Sequence, residues 1–184
     1  RTVLRGGLGL AASALYAPLV GGCAGAAPRE TSKAVLPVIG FKSVPAVAAD
    51  TLVVPEGYVA SVIAAWGEPI GVPGNMPAFK PDASNSAADQ AVQMGMHHDG
   101  IHFYTLAGNS NTHGLLAMNH EYTDDGLLHS DAMKAWSAEK VRKSQNAHGL
   151  AVIEVEMKGG AWQMVRPSKY ARRFTMQTPF AVSG

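Results

Sequence analysis

The run Leu150-Ala151-Val152-Ile153-Glu154-Val155-Glu156, then Lys158-Gly159-Gly160, then Ala161-Trp162-Gln163-Met164-Val165, constrains the fold more than any other part of this chain. A β-branched stretch, a glycine-rich break and an apolar return predict a tight antiparallel hairpin. Ile101 to Leu106 and Leu115 to Met118 read as a second antiparallel pair, joined across Gly108 to Gly114. Tyr58 to Ile63, entered through the turn signal Pro55-Glu56-Gly57, has the character of a further strand ending at Trp66-Gly67-Glu68-Pro69. Ser137 to His148 is the one good helix candidate: Ser137 can cap it, Glu139 suits the first turn and Gly149 can close it. Gly71 to Asp89 is too polar and too broken for a core element and reads as a long loop. Short strands, turns and little helix define a mainly β domain with one or two short helices.

In the second pair, two polar clusters fall at one end of the sheet. His97-His98-Asp99 precedes its strand, and Asn119-His120-Glu121 ends its own. All seven histidines lie between His97 and His148, so the chemistry is expected there. Glu121 is the first candidate metal ligand, with Asn119 beside it and Asp99 and His120 as further candidates. Carboxylate and amide oxygens suit a hard ion such as calcium, whereas iron or zinc would add imidazole. His120 points to the opposite strand face from Glu121 and cannot easily share an ion with it. The structural alternative for Glu121 is a turn cap or an ion pair with Arg172 or Arg173, and Asp99-Gly100 equally suits a tight turn. Arg142 and Lys143 could hold a phosphate or simply be solvated on the helix surface. His148 suits the terminal carbonyls of its helix. There is no Gly-x-Ser-x-Gly elbow, no Walker-type loop and no zinc-spaced cysteine pair.

Composition narrows the class further. With 184 residues, 47% hydrophobic and 16% charged, the chain is globular in character, and a net charge of +1 argues against whole-surface binding to nucleic acid. Met133 to Thr175 holds nine Lys or Arg against three Glu, read as a solvated basic face or an anion path. The single cysteine, Cys23, excludes an intrachain disulfide. A basic Arg1 to Arg5, an apolar Gly6 to Val20 and small residues around Cys23 are laid out as an export signal over residues 1–27. One arginine before Arg1 would make it a twin-arginine signal. Leu19-Val20-Gly21-Gly22-Cys23 fits a lipobox, and cleavage near Ala26 or Ala27 fits as well; a buried helix is the third reading. Residues 28–40 read as a linker, and 41–184 as the folded domain.

Gly95-Met96-His97-His98-Asp99-Gly100, Leu115 to Thr123, Asp124 to His129, Val141 to Gln145, His148-Gly149 and Tyr170 to Arg173, taken in order, resemble the N-terminal part of the PhoX family of alkaline phosphatases. The resemblance runs from about Phe41 to Gly184. It implies the first blades of an incomplete β-propeller, twin-arginine export to the periplasm or exterior, and hydrolysis of phosphate monoesters at a cluster of calcium and iron ions. It also implies that ligands from a later, cysteine-containing segment are needed, so that this stretch alone is an inactive fragment. A non-catalytic propeller that binds a partner at the cell envelope is the alternative.

Overall fold

The computed structural model describes residues 40–108 and 110–184. The expected export signal, Cys23 and nearly all of the linker lie outside the described residues. The chain divides into two units, Arg1–Ala49 and Asp50–Gly184. In the first, residues 40–49 carry no helix or strand.

The second unit is organised by an antiparallel sheet of five strands. These are β1 (His98–Thr105), β2 (His113–His120), β3 (Gly149–Lys158), β4 (Ala161–Met164) and β5 (Arg172–Phe174). The order is β1-β2-β3-β4, and β5 pairs with the early part of β3. The β3–β4 hairpin forms as the sequence predicts, with Lys158 opposite Ala161. Its two turn residues, Gly159 and Gly160, have φ of +60° and +81°. Positive φ at both central positions matches the twist of the flanking strands and is what glycine supplies without a Cβ clash.

Alternation along β3 sends Ala151, Ile153 and Val155 to one face, where they join Met118, Ile70, Met94 and Ala171 in the main core. Phe103, Leu116 and Trp162 pack at its margin. A smaller cluster of Met96, Leu128 and Ala147 packs with Trp66.

Among the described residues three short helices accompany the sheet, where the sequence suggested one or two: α1 (Ala87–Gln90), α2 (Asp125–Leu128) and α3 (Ala138–Ala147). The Ser137 side chain accepts from the Lys140 backbone N–H at 3.2 Å, which starts α3 where expected. Gly149 follows α3 with φ of +104°. None of the helices among the described residues is long and apolar enough to cross a membrane.

Two readings of the sequence need correction, and one strand went unread. Tyr58–Ile63 is not a strand. Its Val59 and Val62 side chains stand 92% and 83% exposed, so the apolar run has no sheet face to bury. β5 was not foreseen, because three residues carry too short a period to read. The surface of α3 is less solvated than its composition suggests, since Lys143 and Asn146 are buried.

Candidate functional site

Strand register brings the two polar clusters together at one sheet end. His98 lies opposite His120, and Asp99 opposite Asn119. Beyond Asp99 the register shifts before His102. Gly100, at φ of +51°, turns the chain there, and its backbone N–H donates to Asp99 Oδ1 at 2.7 Å. The Asn119 amide oxygen occupies the space that a Cβ at residue 100 would need. Glycine at 100 therefore does two things: it permits the backbone conformation and admits the Asn119 side chain.

Past the end of β2, the Glu121 backbone N–H donates to the His97 carbonyl at 3.1 Å, which fixes where the residue leaves the sheet. Its side chain is exposed. Neither arginine proposed as its partner pairs with it. Arg172 donates to the Lys169 and Ala171 carbonyls, both at 2.8 Å. Arg173 donates to the carbonyls of Asn146, His148 and Leu150. Among the described residues, Glu121 enters no ion pair. His97, at φ of +50°, stacks on Tyr122, with ring centroids 3.6 Å apart and planes 16° from parallel.

His120 is placed differently from the other candidates. It is buried, and its Nε2 accepts from the Gly95 N–H at 3.4 Å. A Cβ at Gly95 would strike the His120 ring and the Ala147 carbonyl, so the loop before β1 packs tightly on it. Burial, with the Arg173 and His98 charges adding to it, pushes the His120 pKa down to about 3. The ring is neutral at any ordinary pH, and among the described residues its buried Nδ1 has no partner. His98 sits edge-on to it at 4.9 Å and bonds the Gly95 carbonyl at 3.0 Å.

The basic residues that could have met a phosphate are occupied elsewhere. Lys143 Nζ donates to the Ala83 carbonyl at 2.7 Å, tying α3 to the long loop. Arg142 lies 3.7 Å from Glu139 on the exposed side of the helix. Arg173, its pKa lowered to about 10 by burial, remains charged and satisfies the carbonyls at the C-terminal end of α3. No sequence signal distinguished it from its neighbour Arg172. His148 Nδ1 bonds the Ser144 carbonyl at 2.8 Å, the helix-end role expected of it.

Asp99, Asn119 and Glu121 thus offer oxygen donors from one sheet end, with His120 apart from them in the core. Among the described residues, no three His, Cys, Asp or Glu side chains gather into a group able to hold a metal ion. Oxygen donors of this kind suit calcium, but a full shell takes six to eight of them. The three residues share a sheet end and, among the described residues, do not form a metal site by themselves.

Residues 39–184 match the family model described as alkaline phosphatase PhoX. The chain belongs to the PhoX alkaline phosphatase family. It is similar to the solved structure of Pseudomonas fluorescens PhoX in complex with vanadate, a transition state analogue: identity is 41% and the TM-score 0.67. That match covers 74% of this chain and 23% of the Pseudomonas chain, so the present chain spans less than a quarter of that relative's length. No curated protein matches.

Proposed function

We propose that this chain is the N-terminal part of an exported, metal-dependent alkaline phosphatase that hydrolyses phosphate monoesters, and that residues 41–184 form the first blades of its β-propeller. The observation that carries this reading is the 41% identity to a family member whose structure holds vanadate. Residues 1–27 would direct export by the twin-arginine machinery to the periplasm or beyond, residues 28–40 would link signal to domain, and lipidation of Cys23 would add a membrane anchor.

In this reading the sheet end supplies part of a metal site. Glu121 contributes a carboxylate, Asn119 an amide oxygen and Asp99 a second carboxylate. Gly100 and the His97 carbonyl hold that end in place. Calcium and iron, when bound, would neutralise phosphoryl oxygens and lower the pKa of a bound water. The remaining ligands would come from the rest of the parent protein, because the residues described here do not complete a shell. The 184-residue chain by itself is then inactive. His120 serves in this account as a packing residue that fixes the loop before β1 against the end of α3.

The test is hydrolysis of a generic phosphomonoester by the full-length parent and by this chain, each with calcium and iron supplied and then chelated. Activity in the parent alone, lost on chelation, is the expected result. Absence of activity in the loaded parent would overturn the reading in favour of a non-catalytic propeller at the cell envelope.

A further inference from the structure

His97 stands opposite Glu121 once the antiparallel register of β1 and β2, which pairs His98 with His120, is carried one residue further. The two residues are joined there, since the Glu121 backbone N–H donates to the His97 carbonyl at 3.1 Å. The His97 ring goes to the next residue along: it lies on Tyr122, with ring centroids 3.6 Å apart and planes 16° from parallel. Among the described residues neither ring makes a side-chain hydrogen bond, so the stack is the specific contact that places them both.

This double grip depends on an uncommon backbone. His97 has φ of +50°, a left-handed conformation in which non-glycine residues are rare and histidine is among the more tolerant. Such residues persist where the structure around them over-determines the chain. On the near side, the Met96 N–H donates to the Ala147 carbonyl at 3.1 Å, and the Met96 side chain is buried in one cluster with Leu128 and Ala147. On the far side, the His98 ring bonds the Gly95 carbonyl at 3.0 Å as β1 begins. The turn at His97 therefore sits between two anchored residues. With the nitrogen of residue 121 held by a hydrogen bond and the ring of residue 122 held by the stack, the Cα–Cβ bond of Glu121 is fixed between them, although its side chain is exposed.

An exposed glutamate gives up conformational freedom when it takes up a cation, and a backbone held in place beforehand reduces that cost. We infer that His97 is a positioning residue for Glu121: its carbonyl, and its ring stacked on Tyr122, aim the Glu121 carboxylate before a cation is bound. The inference rests on the reading of Glu121 as a metal ligand in the preceding section and adds the residue that orients it. His97 acts through Glu121 and is assigned no contact with metal or substrate.

The experiment uses the full-length parent, stripped of metal and titrated calorimetrically with calcium, with hydrogen exchange at the Glu121 amide measured before calcium is added. His97→Asn removes the ring but keeps the carbonyl and a residue tolerant of the left-handed backbone. Tyr122→Leu removes the other ring, Tyr122→Phe keeps one, and Glu121→Gln tests the ligand itself. His97→Asn and Tyr122→Leu are each expected to raise the calcium Kd about threefold to tenfold, the scale of losing one aromatic pair, and to speed exchange of the Glu121 amide. The double variant should do no more than either alone, and Tyr122→Phe should match the wild type.

Wild-type calcium affinity in His97→Asn and Tyr122→Leu, with affinity lowered in Glu121→Gln, would overturn the inference and leave Glu121 standing as a ligand. Wild-type affinity in every variant, Glu121→Gln included, would overturn that reading and the inference with it. A lower melting temperature in His97→Asn with the calcium affinity of the folded protein unchanged would show a purely structural role and count against the inference. Equal weakening in Tyr122→Phe would do the same, because that variant keeps the stack. Tyr122 is 52% exposed, so Tyr122→Leu keeps the test open should His97→Asn not fold.

Discussion

Two carboxylates near opposite ends of β2 have opposite surroundings. Glu154, paired with Leu115 near the start of the strand, is buried, and both its oxygens are taken. Oε1 lies 2.7 Å from His113 Nε2, and Oε2 accepts from Ser168 Oγ. Burial raises its pKa, but the hydrogen bonds from Ser168 and His113 outweigh it and leave the group below the usual glutamate value. Glu121, just past the end of the strand, is exposed and enters no ion pair among the described residues. A buried carboxylate with both oxygens engaged holds strands and loop together; an exposed one at the sheet end of Asp99 and Asn119 is open to solvent and to a cation. The comparison separates a carboxylate held inside the fold from one left at the surface, where residue type alone cannot.

The sharpest way to break that contrast is to exchange the two roles. Glu121→Gln in the full-length parent is expected to lower kcat by at least about 10²-fold, the scale of removing one electrostatic group from an active site, while thermal denaturation stays within experimental scatter. A normal rate in Glu121→Gln would place Glu121 outside the site.

Acid titration of stability is the next largest effect. His120 is neutral in the fold down to about pH 3, whereas its ordinary pKa is 6.5. Above 6.5 both states are neutral and stability is complete. As pH falls from 6.5 towards 3, the unfolded chain takes up a proton that the folded chain refuses, and stability is lost. His98 and His129 are also held below 6.5, each first of all by burial, so they act in the same direction. Melting temperatures measured between pH 6.5 and 5 should therefore fall, and His120→Asn should fall less steeply. Identical slopes would show that the ring is not buried neutral.

Glu154→Ala follows, at about 1–3 kcal/mol, because it strands the His113 and Ser168 partners without a carboxylate. Urea denaturation reads this directly, and the rate per folded molecule should be unchanged. Smallest is Gly100→Ala, at about 1–2 kcal/mol for a left-handed backbone position. It should also lower activity through displacement of Asn119, which steady-state kinetics on the folded fraction would detect.

Much of the sheet was legible because its signals are local. Gly159-Gly160 dictates a two-residue turn, alternation in Leu150 to Glu156 dictates a face, and Ser137 with Gly149 brackets a helix. The meeting of Asp99 with Asn119 was legible too, since a strand that begins with polar residues and one that ends with them must bring those ends together when paired antiparallel. Tyr58 to Ile63 misled because strand-like composition has no consequence without a partner, and sequence shows composition only. Arg173 and Lys143 were hidden for a related reason. Each is an ordinary surface residue by type, and only the folded chain shows that their donors meet the α3 carbonyls and the Ala83 carbonyl. The buried state of His120 was half legible: its opposite face from Glu121 followed from strand period, but Gly95 as the residue packed against it did not.

The central claim is that the free carboxylate at the end of β2 is a metal ligand, and anomalous diffraction from crystals of the full-length parent tests it most directly. The account predicts a metal peak about 2.0–2.6 Å from a Glu121 side-chain oxygen. Metal ions bound elsewhere in the parent, with the Glu121 carboxylate turned to solvent, would contradict it.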